Sequence, residues 1–344
     1  MQAVRVHKTG GAVELRVDEV PDPKAGHGEV RIKMEWGGIC GSDLAYWRHG
    51  VSGTAVLKYP LTLGHEVAGT IDQIGPGVTT LNVGDRVTVH PATLVGEHVM
   101  PPHLEGRDNL WPECRYFGSA ACSPHEEGGF STYKVAREDQ IRLLPSNVST
   151  RHGAVAEPLG VATHAVNRAG SVAGKRILVN GTGPIGALVV AAAKRAGAAT
   201  IYAADMSESA LRIAQAMGAD ETINRSEGAP LPAEVDLAFE ASGASRALGD
   251  IFLSVVRGGR VIQVGNMAAS ESPAALGQLV TRELEYIGSF RFIDEITDAV
   301  DSLAGGLDVE PLLTHTFDID DALRAFETAA DRSTGSSKVL LKLS

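Results

Sequence analysis

Three side chains with metal-binding chemistry stand in two short segments near the start of the chain. Cys40 lies in GGICGSDLAYW, and His65 and Glu66 are adjacent in LGHEVAG. Together they offer a thiolate, an imidazole and a carboxylate. Catalytic zinc sites use such donors, with three protein ligands and one position left open. Zinc held this way would polarise a substrate hydroxyl and lower its pKa, so that hydride can leave the adjoining carbon. Glu157, in AEPLG, is a further or exchangeable candidate ligand. Each residue alone has a plainer reading, a small buried thiol or a core histidine. The combination points to a metal.

A second chemistry is written in ILVNGTGPIGALVVAAAKRAGAATIYAADMS. Gly181, Gly183 and Gly186 form G-x-G-x-x-G directly after an apolar strand and at the opening of a helix, with Pro184 and Ile185 inside the motif. That context is what a dinucleotide pyrophosphate needs. The first glycine turns the chain, the second lets the phosphates approach, and the third lets helix and strand pack closely. The helix N-terminus adds partial positive charge. Asp205 closes the next strand, where a carboxylate accepts the adenosine ribose hydroxyls. Val264, at the end of a later strand, is a further expected cofactor contact. Met206 and Ser207 follow Asp205, and neither would neutralise a 2'-phosphate, so NAD is expected over NADP.

The surrounding sequence must position these groups. Residues 1 to about 150 carry short β-branched runs broken by Gly and Pro, such as Val30–Met34, Val67–Ile74 and Arg86–His90. Pro91–Pro112 has little periodicity and reads as a long excursion loop. From Arg176 the pattern alternates. Strands are expected at Arg176–Asn180, Thr200–Ala204, Val235–Phe239 and Arg260–Val264. Helices are expected at Pro184–Ala196, Ser207–Met217 and Ala247–Val256. Such alternation implies a parallel sheet with right-handed crossovers. The chain ends in a strand-like KVLLKL.

At 344 residues the chain is long for one core. We expect a β-rich catalytic domain over 1–151 and 291–344 and a doubly wound, dinucleotide-binding domain over 152–290. A net charge of −11 disfavours nucleic acid and anionic membranes as partners. It leaves room for an anionic small molecule. Three cysteines, Cys40, Cys114 and Cys122, make no disulfide framework, and MQAVRVHKTG lacks the apolar core of a signal peptide. A cytoplasmic location is expected.

Taken in order, GICGSD, GHEVAG, GVTTLNVGDRV, AEPL and GTGPIG resemble the medium-chain, zinc-dependent alcohol dehydrogenase superfamily over essentially the whole chain. Within it the sequence resembles the polyol branch, and RYFGSAACSPHEEGGFSTYKV is most similar to the L-idonate 5-dehydrogenases. The resemblance implies an α/β architecture: a GroES-like β-rich catalytic domain plus a Rossmann domain. It implies one catalytic Zn2+ on Cys40, His65 and Glu66 with Glu157 close by. Asp43 would orient the His65 imidazole. Ser42 would begin the proton relay, and Arg291, in SFRF, would lie at the substrate. It also implies a homodimer or homotetramer. The activity implied is oxidation of a secondary alcohol on an aldonate or polyol. Sugar-alcohol, butanediol or threonine oxidation is the alternative. A metal-free quinone-reductase-like protein is disfavoured by the Cys, His and Glu trio.

Two departures from the family pattern stand out. The four cysteines of a structural zinc would fall on Glu97, Met100, His103 and Trp111, so a second zinc is not expected. A rearranged site on Cys114, His98 and His103 is a remote variant. Packing of Trp111, Met100 and Leu104, with Pro101, Pro102 and Pro112 stiffening the backbone, would hold the loop instead. The relay histidine of the family is replaced by Ala45, and the next histidine, His49, has no evident role.

Overall fold

A computed structural model describes residues 1–9, 11–267 and 273–344. Chain contacts divide it into two units. The first comprises Met1–Glu157, Ile296–Gly306 and Leu313–Ser344; the second comprises Pro158–Glu295 and Leu307–Leu312. The chain therefore leaves the second unit at Ile296 and revisits it briefly at 307–312, where the sequence suggested a single return.

The first unit is built on a seven-stranded sheet. Its path runs Ile141–Leu143, Arg86–Val89, Glu66–Ile74, Glu29–Gly38, Lys338–Lys342 and Leu313–Asp318, and Tyr133–Arg137 also pairs with Glu29–Gly38. Alternation selects the faces: Val30, Ile32 and Met34 are buried from one strand and Val67 and Ile71 from the next. They join Val4, Val6, Leu61, Phe130, Phe326 and Leu341 in one apolar core. The last strand lies against the third of the sequence order, with Leu340 opposite Gly38 and Leu341 opposite Gly37. Chain ends far apart in sequence are thus sewn together beside Cys40 and Glu66.

The excursion loop is more ordered than its composition suggests. Ala92–Leu94 pairs antiparallel with Cys114–Tyr116 and closes its base. Two short 3-10 turns, Pro102–Leu104 and Asp108–Leu110, occupy the excursion. Trp111 donates its indole N–H to the Val95 carbonyl at 2.8 Å, and His98 packs edge-on against its ring. His98 also meets Glu113 at 3.3 Å.

The second unit carries six parallel strands in the order Glu221–Asn224, Thr200–Asp205, Arg176–Asn180, Val235–Glu240, Val255–Gln263 and Glu285–Gly288. In chain order this is 3-2-1-4-5-6, the doubly wound dinucleotide-binding order. Ser207 caps its helix by accepting the Ala210 N–H at 3.4 Å, so the helical residues are Glu208–Ala216 and not the full Ser207–Met217. The helix expected to Val256 stops at Ser254. Val255 and Val256 already belong to the next strand, because β-branched residues fit the pleat better than a helix end. Among the described residues no helix is long and apolar enough to cross a membrane.

Candidate active site

Cys40 ends the approach to the helix Gly41–His49, and His65 and Glu66 stand at the start of the strand Glu66–Ile74. Their ligand atoms all lie within 4.8 Å of one another. Among the described residues this is the one such group of three potential donors. The helix and the strand that carry these donors need a tie, and Asp43 provides it. Its carboxylate accepts the Cys40 N–H at 2.9 Å and the Gly64 N–H at 3.2 Å. Asp43 was expected to orient the His65 ring directly. Its charge acts on that ring, and it also fixes the backbone on both ligand segments, because a fully buried carboxylate so placed is best satisfied by main-chain N–H groups.

Glu66 is held by a residue the sequence did not single out. Lys338 donates to both of its carboxylate oxygens, at 2.7 and 2.6 Å, and to the Ile39 carbonyl at 3.3 Å. Burial opposes the ammonium charge, but Glu66 and Cys40 more than restore it, so Lys338 is raised above its ordinary value. Gly38 makes room for the pair: a Cβ there would collide with the Glu66 carboxylate and press on the Lys338 stem at 3.1 Å. Glu157, at the start of the helix Ala156–Arg168, is also buried. Tyr116 donates its hydroxyl to Glu157 Oε1 at 2.6 Å. Burial pushes the Glu157 carboxyl up and Glu66 pushes it further, against the pull of His65 and Tyr116.

These residues fit a divalent cation. Burial alone would strip a proton from His65, yet the surrounding Cys40, Asp43 and Glu157 hold its ring well above the ordinary value. Surplus negative charge that draws a proton onto a buried imidazole is what a metal ion neutralises. Ser42, in the helix beside Cys40, is half-buried, and His49 is exposed at that helix's end.

The dinucleotide motif is formed within the second unit. Gly181 adopts φ 84°, and a Cβ there would meet the Ser242 backbone N at 2.5 Å. A Cβ on Gly186 would strike the Gly181 carbonyl oxygen. Gly183 caps the helix Pro184–Arg195, with Pro184 in the first turn and Ile185 following it. Nothing lies within 4 Å of a Cβ at Gly183, and the buried Thr182 hydroxyl has no partner. The open space and the spare hydroxyl suit phosphate oxygens at a helix N-terminus. Asp205 accepts the Thr182 N–H at 2.7 Å and the Ser207 N–H at 2.9 Å, which ties the loop to the ribose-binding acid.

Beneath this loop lies Glu240, also missed in the sequence. It is 1% exposed and accepts from Ser242 N, Gly243 N and Gln263 Nε2 at 2.9, 3.0 and 2.7 Å. Its own carbonyl accepts the Val264 N–H at 2.8 Å, which sets Val264 beside the same turn. Arg291 belongs to the second unit, in a left-handed backbone conformation (φ 51°), with its guanidinium 4.9 Å over the Phe290 ring.

Metal donors on a β-rich unit and a glycine-rich loop on a 3-2-1-4-5-6 sheet define a zinc- and dinucleotide-using oxidoreductase. Residues 26–146 match the alcohol dehydrogenase GroES-like domain and residues 184–305 match the zinc-binding dehydrogenase domain. The chain belongs to the zinc-binding alcohol and polyol dehydrogenase family, whose members oxidise CH–OH groups with a nicotinamide cofactor. Sorbitol dehydrogenase of Gallus gallus is 35% identical over 99% of this chain and 96% of its own length. L-idonate 5-dehydrogenase (NAD(P)(+)) of Escherichia coli is 37% identical over 90% of each chain. The crystal structure of L-idonate 5-dehydrogenase from Escherichia coli superposes with a TM-score of 0.89 at 33% identity, covering 99% of this chain and 97% of that one.

Proposed function

We propose that this protein oxidises a secondary alcohol of an aldonate or polyol to the ketone, passing hydride to NAD+ and releasing one proton. The observation that carries the reading is the convergence of Cys40, His65 and Glu66. The names of the sorbitol and L-idonate relatives support the substrate class. Zinc on these three residues would supply Lewis acidity toward the alcohol oxygen. The chain's own groups do the rest. Asp43 holds the ligand segments in register, and Lys338 orients the Glu66 carboxylate through two hydrogen bonds. Ser42 receives the alcohol proton and hands it toward water. Glu157 supplies a second carboxylate beside the metal site, as an exchangeable ligand or proton acceptor.

Gly181, Gly183, Pro184, Ile185 and Gly186 hold the pyrophosphate, with Val264 beside them, and Asp205 takes the ribose hydroxyls. NAD is preferred because the Asp205 carboxylate would repel a 2'-phosphate, and its neighbours Met206 and Ser207 bring no positive charge. Arg291 grips a substrate carboxylate with its two-pronged guanidinium, which favours a sugar acid over a neutral polyol. The enzyme works in the cytoplasm as a homodimer or homotetramer on one zinc per chain.

A spectrophotometric screen tests this. Aldonates, sugar alcohols, butanediol and threonine are offered with NAD and NADP, and the reduced nicotinamide absorbance is followed. Elemental analysis of the same preparation counts zinc. Aldonate or polyol oxidation with NAD and one zinc per chain is expected. No turnover of any secondary alcohol, or activity that survives complete chelation, would overturn the reading.

A further inference from the structure

Tyr116 closes the strand Cys114–Tyr116 at the base of the excursion loop. Its side chain is 7% exposed, and its ring lies edge-on to His65 with centroids 5.7 Å apart. Its hydroxyl reaches Glu157 Oε1 at 2.6 Å. Cys40, His65 and Glu66 form the group whose donor atoms lie within 4.8 Å of one another, and Glu157 is outside it. A buried carboxylate so near a dication is strongly attracted to it, because low polarisability around the site magnifies the Coulomb term. Four protein ligands close a zinc site, whereas three leave a position open. Something must therefore restrain Glu157.

We propose that Tyr116 is a positioning residue whose hydroxyl tethers Glu157 outside the ligand set and so keeps the metal site a three-ligand, open one. The proposal rests on the reading that zinc sits on Cys40, His65 and Glu66. A phenol suits the task. It is neutral, so it restrains Glu157 through one hydrogen bond and brings no counter-charge, and its rigid ring is pinned against His65 on the hairpin base. The two carboxylates of the site are thereby treated differently. Glu66 is neutralised by the Lys338 ammonium, and Glu157 is restrained by a neutral donor.

The test uses the full-length protein with Tyr116→Phe, Glu157→Gln and the double variant, loaded with zinc or with cobalt(II) as a visible probe. Zinc affinity is read by chelator competition, and ligand number by the visible absorption of the cobalt form. Tyr116→Phe frees one charge-assisted hydrogen bond, so zinc should bind about tenfold to a hundredfold more tightly. The cobalt spectrum should change with it. Glu157→Gln removes a buried negative charge near the site and should itself weaken zinc binding, and adding Tyr116→Phe to it should change neither readout further. A Tyr116→Phe protein with unaltered affinity and spectrum refutes the tether, as does a double variant that binds zinc more tightly than Glu157→Gln by the same factor. If wild-type protein takes up no metal, or takes it up equally after Cys40→Ala, the zinc reading fails first and the proposal falls with it.

Discussion

Lys338→Met removes an ammonium group that is 2% exposed and leaves behind Glu66, which is 1% exposed. Met has nearly the same length, so the packing around the stem is largely kept and the change is electrostatic. Breaking a buried ion pair from one side costs about 3–5 kcal/mol, because the remaining charge is desolvated and unpaired. The two bonds to Glu66, each charge-assisted and worth roughly 1.5–3 kcal/mol, sum to about 3–6 kcal/mol, which overlaps that figure. A zinc ion restores positive charge beside Glu66, so the loss should be smaller in the zinc-loaded protein than in the chelated one.

Urea unfolding followed by tryptophan fluorescence measures this. Trp36, Trp47 and Trp111 are the three tryptophans of the chain, and all lie in the first unit. The signal therefore reports on the unit that holds the pair. For a urea slope of about 1–3 kcal/mol per molar, the chelated variant should unfold about 1 M or more earlier than wild type. Adding Glu66→Gln should recover most of the loss, since it removes the stranded charge. A midpoint within about 0.3 M of wild type, well under the 1 M that this slope implies, would show that the pair does not carry the proposed energy. A larger loss with zinc than without it would refute the compensation.

Four further outcomes follow from the same geometry. Ser42→Ala should lower turnover by about a hundredfold, the usual scale of general acid–base help, and near-normal turnover would place the proton path elsewhere. Asp205→Ser removes an acceptor of two loop N–H groups as well as the ribose acid, so kcat/KM with NAD should fall about tenfold or more while NADP is affected less; an equal loss with both cofactors would assign Asp205 to the loop alone. Arg291→Lys keeps the charge and loses the fork, so KM should rise more for an aldonate than for a neutral polyol in parallel steady-state assays. Burial works against ionised Glu295, yet the bonds from His164 and the Ile293 N–H hold its carboxyl down from 4.5 to about 2. Its folded value lies below the unfolded one, so its stabilisation is present above pH 4.5 and fades as pH falls toward 2; Glu295→Gln should destabilise at neutral pH, with the gap from wild type closing over that window.

The dinucleotide half of the molecule was legible because its signals are local. Arg176–Asn180 is an apolar run between breakers, and the glycines that follow act through their own backbones. The metal donors were legible by residue type, since thiol, imidazole and carboxylate in two short glycine-bearing segments have few other uses. Lys338 was not. A lysine at the head of KVLLKL reads as a solvated strand end, and only the pairing of that strand with Glu29–Gly38 carries it inside. Tyr116 and Glu240 were hidden for the same reason, each acting on a partner distant in the chain. The hairpin at the base of the excursion loop escaped because three-residue strands are too short to show a period of two.

That hairpin separates what must stay from what is free to change. Its rungs hold Tyr116 in place, whatever the polypeptide does between Val95 and Glu113. At the outer part of this segment Gly106 sits with no atom within 4 Å of a would-be side chain. Lengthening a tied-off loop costs little, about 0.6 kcal/mol per doubling. Descendants of this gene can thus add, trim or rewrite the outer segment, acquiring new surfaces or losing old ones, while Tyr116 keeps its place beside His65 and Glu157.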